Sequence, residues 1–191
     1  MNKQALMLMI AGLFAGQTAL AACNSNDADY VTSSQGWVLQ KSTGLIWQPC
    51  LGGMSFESGS CTGTPTAANW HQALQAAQSN SDFQSSEWRL PNVKEVSSLL
   101  QFSCGTRINE AAFAGQPIDS TLWSSTVGAP VPDGNYSNAV MTVRFFDEVQ
   151  PPSNSFSYAP FITGQAPTTT LNFRLVRNAT AEDFLQLQAS Q

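Results

Sequence analysis

The chain has 191 residues, of which 8 are basic and 13 are acidic, so its formal net charge is −5. This acidic balance argues against nucleic acid and anionic lipid headgroups as partners, because both repel a negatively charged surface. The length suits a single domain with a substantial core. Only 11% of the residues are charged. Together with the many small polar residues, this is typical of an exported, loop-rich protein.

The first 22 residues have the pattern of a secretory signal peptide. Lys3 precedes an apolar run that ends in small residues just before Cys23. The run is shorter than the roughly 20 apolar residues that a membrane-spanning helix needs, and no later segment approaches that length. We therefore expect an exported protein without a transmembrane segment.

Four cysteines are present, at Cys23, Cys50, Cys61 and Cys104. In an exported chain without a C-x-x-C pair, an even number favours disulfides over zinc. A bridge between Cys50 and Cys61 would close a short, flexible loop and leave Cys23 to pair with Cys104, although three connectivities are open. "LAAC" also resembles a bacterial lipobox, in which Cys23 would carry a lipid anchor and leave Cys104 as a free thiol.

The first elements along the chain are a hairpin and a helix. Two short apolar runs, 37–39 and 45–47, flank a turn containing Gly44 and predict a β-hairpin. Apolar residues then recur with helical spacing, after start signals at Thr64 and at Pro65 or Thr66. The residues of this helical face are Trp70, Ala73, Leu74 and Ala77.

The stretch "EWRLPNVKEV" predicts the start of a second helix. Asn92 stands at an N-cap position, and Glu95 three residues later completes a variant of the capping box. The proline before Asn92 keeps the preceding residues extended. Trp88 and Leu90 should therefore point into the core, whereas Arg89 points away from it.

Three later segments, "TLWSSTV", "NAVMTVRFF" and "LNFRLVR", predict half-buried strands. The inward positions are Ala139, Met141, Val143 and Phe145 in the second segment and Leu171, Phe173 and Leu175 in the third. The last residues, "TAEDFLQLQASQ", predict a frayed helix or a disordered tail. Two helices and an antiparallel sheet give an α+β domain.

These motifs together resemble the Lcl C-terminal domain family, exported bacterial domains of largely unknown function. The similar segments include "TGLIWQPC", "EWRLPN", "LWSST" and "RLVR", in family order across about 36–177. The resemblance implies a C-type-lectin-like fold, with two helices, an antiparallel sheet and long irregular loops. It also implies disulfide roles for Cys50, Cys61 and Cys104, and it favours pairing for Cys23. The chain then divides into a signal peptide (1–22), the domain (23–178) and a tail (179–191).

The aromatic and basic residues of these motifs are expected to build the scaffold. Tryptophans bury large areas, so core packing is predicted for Trp47, Trp70, Trp88 and Trp123. Trp37 is the tryptophan expected to be exposed, where it would suit sugar stacking. Arg89, Arg174 and Arg177 are expected to form ion pairs or hydrogen bonds rather than an anion site. Their candidate partners are Glu87, Glu95 and Asp119.

No catalytic residue, metal ligand or cofactor is assigned. His71 is the only histidine, and "WSST" lacks the glycines of a nucleophile elbow. The calcium-binding motifs of C-type lectins are absent from the sequence, and the loop carboxylates have no specific spacing for a calcium site. These loop carboxylates are Asp133, Asp147 and Glu148. The resemblance also implies kinship with the architecture of formylglycine-generating enzymes, but their chemistry needs reactive cysteines, and these four are committed to bridges or lipid.

The sequence therefore predicts a non-enzymatic, exported binding or adhesion module of the bacterial envelope. It would reside in the periplasm, at the outer membrane surface or outside the cell, and bind glycan, matrix or an envelope protein. Its contact surface would be the loops 128–138 and 151–170. The aromatic contact residues in these loops are Tyr136, Phe156, Tyr158 and Phe161. The alternatives are an envelope enzyme built around His71 and a structural lipoprotein.

Overall fold

The structure is a computed structural model that describes residues 27–82, 87–101, 108–117, 119–128, 138–145 and 162–189. Within these ranges the chain forms an α+β domain with antiparallel sheets and three helices, as predicted at this coarse level. None of the three helices has the length and apolarity that are needed to cross a bilayer.

Nine short strands and three helices lie within these ranges. The strands are β1 (Tyr30–Thr32), β2 (Val38–Gln40), β3 (Leu45–Trp47), β4 (Ser55–Glu57), β5 (Ser60–Thr62), β6 (Ser120–Val127), β7 (Val140–Phe145), β8 (Ile162–Gln165) and β9 (Val176–Asn178). The helices are α1 (Trp70–Ser79), α2 (Val93–Ser97) and α3 (Ala181–Ala189). A short 3-10 helix at Asp27–Asp29 precedes β1.

A four-stranded antiparallel sheet joins the two ends of the described chain, in the order β1-β2-β3-β9. The predicted hairpin is confirmed, since β2 pairs with β3 and Val38 lies opposite Trp47. On the other edge of β3, Trp47 lies opposite Val176 of β9. The hairpin turn contains Gly44 at φ +66°, a left-handed conformation that glycine adopts without steric strain.

A second sheet has the order β6-β7-β8, and β4 pairs with β5 in a separate hairpin. Two predictions are corrected here. The loop closed by Cys50 and Cys61, expected to be flexible, contains the β4–β5 hairpin. The loop predicted at 151–170 contains β8.

The predicted alternation of the later strands is only partly right. In β7, Val140 and Thr142 are as buried as Val143, because the strand lies between β6 and β8 and contributes to two core clusters. The segment "LNFRLVR" is a strand only at β9. Before β9, its backbone bonds to several separate segments instead of one neighbouring strand, through Ala68, Trp123, Gly52 and Gln48.

Both predicted helices are present. α2 begins as predicted. The Asn92 side chain accepts a hydrogen bond from the Glu95 amide, and the Glu95 side chain accepts one from the Asn92 amide. The predicted start of α1 is wrong, because Asn69 is its N-cap and Gln72 completes a capping box there. The chain's last helix, α3, is ordered from Ala181, where the sequence allowed only a frayed helix or a disordered tail.

The tryptophans pack the interior, as predicted for four of the five. Trp47 and Trp123 are fully buried and Trp88 is 4% exposed, whereas Trp70 is half-buried. The exposure expected for Trp37 is wrong: it is 1% exposed and belongs to a core cluster with Leu39, Trp88 and Trp123.

The Cys50–Cys61 disulfide is confirmed, with a Cα–Cα distance of 5.5 Å. It ties the segment after β3 to β5. Cys23, Cys104 and the predicted signal peptide lie outside the described residues.

Candidate functional site

A groove of about 160 Å³ opens beside the disulfide. It lies between the segment that follows β3, the β4–β5 hairpin, the C-terminal end of α1 and the segment that precedes β9. Its lining residues are 48–54, Phe56, Ala76, Asn80, Asp82, Phe173 and Leu175. Its polar lining residues Gln48, Asn80 and Asp82 are called the polar side, and its apolar lining residues, which include Met54, Phe56 and Phe173, the apolar side.

The polar side is a network of three side chains. Gln48, only 7% exposed, donates through Nε2 to Asn80 Oδ1 at 3.1 Å and to Asp82 Oδ2 at 2.8 Å. Asn80 Nδ2 donates to the same Asp82 Oδ2 at 3.0 Å. The Asp82 amide donates to Asn80 Oδ1 at 3.0 Å, and the Asp82 carbonyl accepts from Trp88 Nε1 at 2.8 Å. The core therefore holds this network in place.

The network leaves two polar positions for a ligand. Asp82 Oδ2 accepts two hydrogen bonds, whereas Asp82 Oδ1 accepts none from the described part of the chain. Asn80 Nδ2 uses one of its two hydrogens on Asp82, and the second has no partner within the described ranges. An acceptor and a donor therefore lie side by side on the polar side of the groove.

The apolar side is shaped by two phenylalanines that lie against glycines. A Cβ atom at Gly36 would lie 2.2 Å from the Phe56 ring, and one at Gly52 would lie 2.1 Å from the Phe173 ring. Only glycine allows these close approaches. Phe56 is half-buried on β4, and Met54 beside it is also half-buried.

Arg174 supports the floor of the groove from inside the core. Its Nη1 donates to the carbonyls of Gln48, at 2.7 Å, and Pro49, and its Nη2 donates to Gln116 Oε1 at 2.7 Å. The guanidinium also stacks on Phe113, 4.6 Å from the ring centroid. Burial lowers the pKa of Arg174 to about 9, which leaves it charged at neutral pH. This arginine, predicted as a lock between strands and loops, is not available to a ligand.

The other two arginines also serve the scaffold. Arg89 pairs with Glu95, one of its predicted partners, through two contacts of 2.8 Å. Burial by itself raises the pKa of Glu95, but hydrogen bonds from Arg89 and Asn92 outweigh it and lower the pKa. Arg177 pairs instead with Asp183, which was not among the predicted partners.

The prediction for Asp119 is wrong, because its carboxylate accepts from Arg144 Nε at 2.8 Å and not from any of the three arginines considered. Asp119 has a positive φ of +63°, and this turn directs its side chain towards β7.

The remaining predicted site residues do not join the groove. His71 is exposed on α1, where its ring lies 5.5 Å from the Trp70 ring, and it does not line the groove. Within the described ranges, no three His, Cys, Asp or Glu side chains come together to hold a metal. Seven predicted or considered residues lie outside the described residues: Tyr136, Phe156, Tyr158, Phe161, Asp133, Asp147 and Glu148.

Sequence reasoning missed the groove, although two local signals were present. Gln48 is a polar residue that follows the apolar run of β3 directly, and a buried polar side chain needs partners. Asn80 and Asp82 stand two residues apart at the end of α1, the spacing of an Asx turn. Neither signal indicated that Gln48 would meet Asn80 and Asp82.

Comparison with known proteins gives one match. The family model of the Lcl C-terminal domain matches residues 36–177, a range that contains the whole groove and all three scaffold arginines. No curated protein and no solved structure matches the chain. The matched range covers well over half of the sequence, and the chain therefore belongs to the Lcl C-terminal domain family.

Proposed function

We propose that this protein is a non-enzymatic binding or adhesion module with a C-type-lectin-like fold, exported to the bacterial envelope or beyond it. The pairing of β3 with β9, which joins early and late segments in one sheet, supports the lectin-like architecture. The disulfide Cys50–Cys61 supports an oxidising compartment, because such bridges persist mainly in exported proteins.

One observation carries the binding function: the groove presents an acceptor and a donor that have no partner among the described residues, on a network that is already held by the core. Binding sites combine apolar walls with a few polar groups that fix orientation. The groove has both, because its lining includes Phe56 and Met54 as well as the polar network. Arg174 and Trp88 support this surface from inside the fold, through Gln48 and Asp82 respectively.

The test is a binding screen with the mature protein. The panel contains defined glycans, extracellular-matrix proteins and purified envelope proteins, and wild type is compared with Asp82→Ala and Asn80→Ala. Glu182→Ala, an exposed carboxylate on α3, is the matched control. We expect at least one panel member to bind wild type and the control, and to lose binding to both groove variants. Failure of every panel member to bind, or binding that ignores Asp82 and Asn80, would contradict the proposal.

The aromatic loop residues remain a separate prediction of the same proposal. Alanine replacement of Tyr136, Phe156, Tyr158 and Phe161 together should weaken binding of a large ligand, such as a matrix protein, that extends beyond the groove. If the quadruple variant binds every ligand like wild type, these residues are not contacts.

A further inference from the structure

We propose that the groove binds a single uncharged sugar residue, through Asp82, Asn80 and Phe56 of its lining. This inference rests on the proposed function and adds the chemical class of the ligand. It applies equally to a free sugar and to the end of a glycan chain, because both present the same hydroxyl groups.

The hydrogen-bonding pattern selects a hydroxyl group. Asp82 Oδ1 can only accept, and the second hydrogen of Asn80 Nδ2 can only be donated. The two positions are neighbours, because Asn80 Nδ2 lies 3.0 Å from the other oxygen of the same carboxylate. A hydroxyl donates to the first and accepts from the second at the same time.

Anionic and purely cationic groups match this pattern less well. An ammonium group is attracted by the Asp82 carboxylate, but it cannot accept a hydrogen bond and gains nothing from the Asn80 hydrogen. A sulfate or carboxylate accepts but cannot donate, and the negative charge of Asp82 repels it. The formal charge of −5 for the whole chain adds to this repulsion. An uncharged polyhydroxyl ligand satisfies both positions without an electrostatic penalty.

The polar side is arranged before any ligand arrives. Gln48 donates both Nε2 hydrogens into the network, to Asn80 and to Asp82. Asp82 is further fixed through its main chain by Asn80 and Trp88. A site whose side chains are already ordered loses little conformational entropy on binding, so a small ligand can bind with few contacts.

The apolar wall and the size of the groove suit one ring. The half-buried Phe56 ring, fixed against Gly36, offers an apolar face to the C–H side of a sugar ring. The volume of about 160 Å³ is below the roughly 300–1,000 Å³ of pockets that enclose drug-sized molecules. The groove therefore admits one residue and leaves the rest of a glycan in solvent.

The experiment measures binding of the mature protein to three series of monosaccharides by ligand-observed NMR. The series are neutral methyl glycosides, uronic and sulfated sugars, and amino sugars. We expect a neutral glycoside to bind, and the uronic and sulfated sugars to bind at least about tenfold more weakly. Asp82→Ala, Asn80→Ala and Phe56→Ser should each weaken the neutral ligand about tenfold or more, which is the typical loss for a charged hydrogen bond or a stacking contact.

Glu182→Ala is the control and should bind like wild type. Asn80 and Asp82 follow the C-terminal end of α1, half-buried and exposed respectively, and their variants are checked for an unchanged urea midpoint so that a folding defect is not mistaken for lost binding. A glycan array then separates the two sources of ligand. Binding of free glycosides identifies a soluble sugar, and binding only to arrayed chains with a neutral terminal residue identifies a chain end; both support the inference.

Other outcomes overturn it. If sulfated or acidic glycans, amino sugars or a protein bind through Asp82 and Asn80 in preference to neutral sugars, the ligand class is wrong while the proposed binding function stands. If a neutral sugar binds but ignores all three groove substitutions, the assigned site is wrong. If no ligand in either screen binds, the proposed function fails together with the inference.

Discussion

Arg177 and Asp183 form a two-contact ion pair inside the domain, with Nη2–Oδ1 at 2.6 Å and Nη1–Oδ2 at 2.7 Å. Both side chains are almost fully buried, at 5% and 8% exposure. Asp183 also accepts from the amide and hydroxyl of Thr180, the residue that precedes α3. The pair therefore fixes the C-terminal helix to β9, and the Arg177 guanidinium in turn lies 5.4 Å from the centroid of the Trp88 ring.

Removing the charge of Asp183 should destabilise the protein strongly. Asp183→Asn leaves the Arg177 charge buried without its counterion, which typically costs about 3–5 kcal/mol. We expect a lower free energy of unfolding by that amount in urea titrations followed by tryptophan fluorescence. Glu182→Gln removes the same charge from the exposed neighbouring position and should change stability by less than about 0.5 kcal/mol. Equal stability of both variants would mean that the pair contributes nothing.

The same pair predicts a loss of stability in acid. Burial by itself raises the pKa of Asp183, but hydrogen bonds from Arg177 and Thr180 outweigh it and lower the pKa below the usual 3.8. The contribution of Asp183 is therefore fully present above 3.8 and is lost as the pH falls through the folded-state pKa. Urea midpoints between pH 6 and pH 2.5 should fall more steeply for wild type than for Asp183→Asn. Parallel curves would contradict this assignment.

Local features of the fold were predictable because their signals lie within a few residues. Asn92 and Glu95 stand three positions apart, so the capping box of α2 follows from the sequence directly. The β2–β3 hairpin follows in the same way from two short apolar runs around Gly44. Interactions between residues close in the sequence determine the capping box and the hairpin, and the tertiary contacts are compatible with both.

Long-range partners were not predictable. Arg174 bonds to the carbonyls of Gln48 and Pro49, which lie 126 and 125 positions away in the sequence. The groove network likewise joins Gln48 to Asn80 and Asp82 across 32 and 34 positions. Periodicity locates a buried face but does not identify the polar atoms that meet across it. The partner of Arg177 was missed for a related reason, since the tail that carries Asp183 was not expected to pack against the domain.

The disulfide should stabilise both the fold and the groove. Cys50 and Cys61 are 11 positions apart, and closing a loop of about that length stabilises a protein by roughly 3 kcal/mol in the chain-entropy model. The double variant Cys50→Ala/Cys61→Ala should lose that much free energy of unfolding. It should also weaken ligand binding, because the loop carries Phe56. A double variant with unchanged stability and binding would show that the β4–β5 hairpin holds its position without the bridge.

The two tryptophans at Trp123 and Trp70 should differ in their effect on stability. Trp123 is fully buried and donates through Nε1 to the Ala68 carbonyl at 2.8 Å. Trp123→Phe loses this hydrogen bond and leaves a void, so we expect a cost of about 2 kcal/mol or more. Trp70 is half-buried and donates to the Ser124 carbonyl at 3.0 Å, so Trp70→Phe should cost about 1 kcal/mol. Urea unfolding measures both, and a reversed order would contradict the scaffold role of Trp123.

Replacing His71 decides between the binding module and an enzyme. Its ring is exposed on α1, lies against Trp70 and does not line the groove, so His71→Ala removes little buried surface and no ligand contact. Both the free energy of unfolding and the ligand affinity should stay within about 0.5 kcal/mol of wild type, as is usual for surface positions. Product analysis of a long incubation with the bound ligand supplies the second readout. If wild type converts that ligand and His71→Ala does not, a catalytic site that includes His71 must replace the binding module, because an exposed side chain with only a ring contact has no structural reason to abolish turnover.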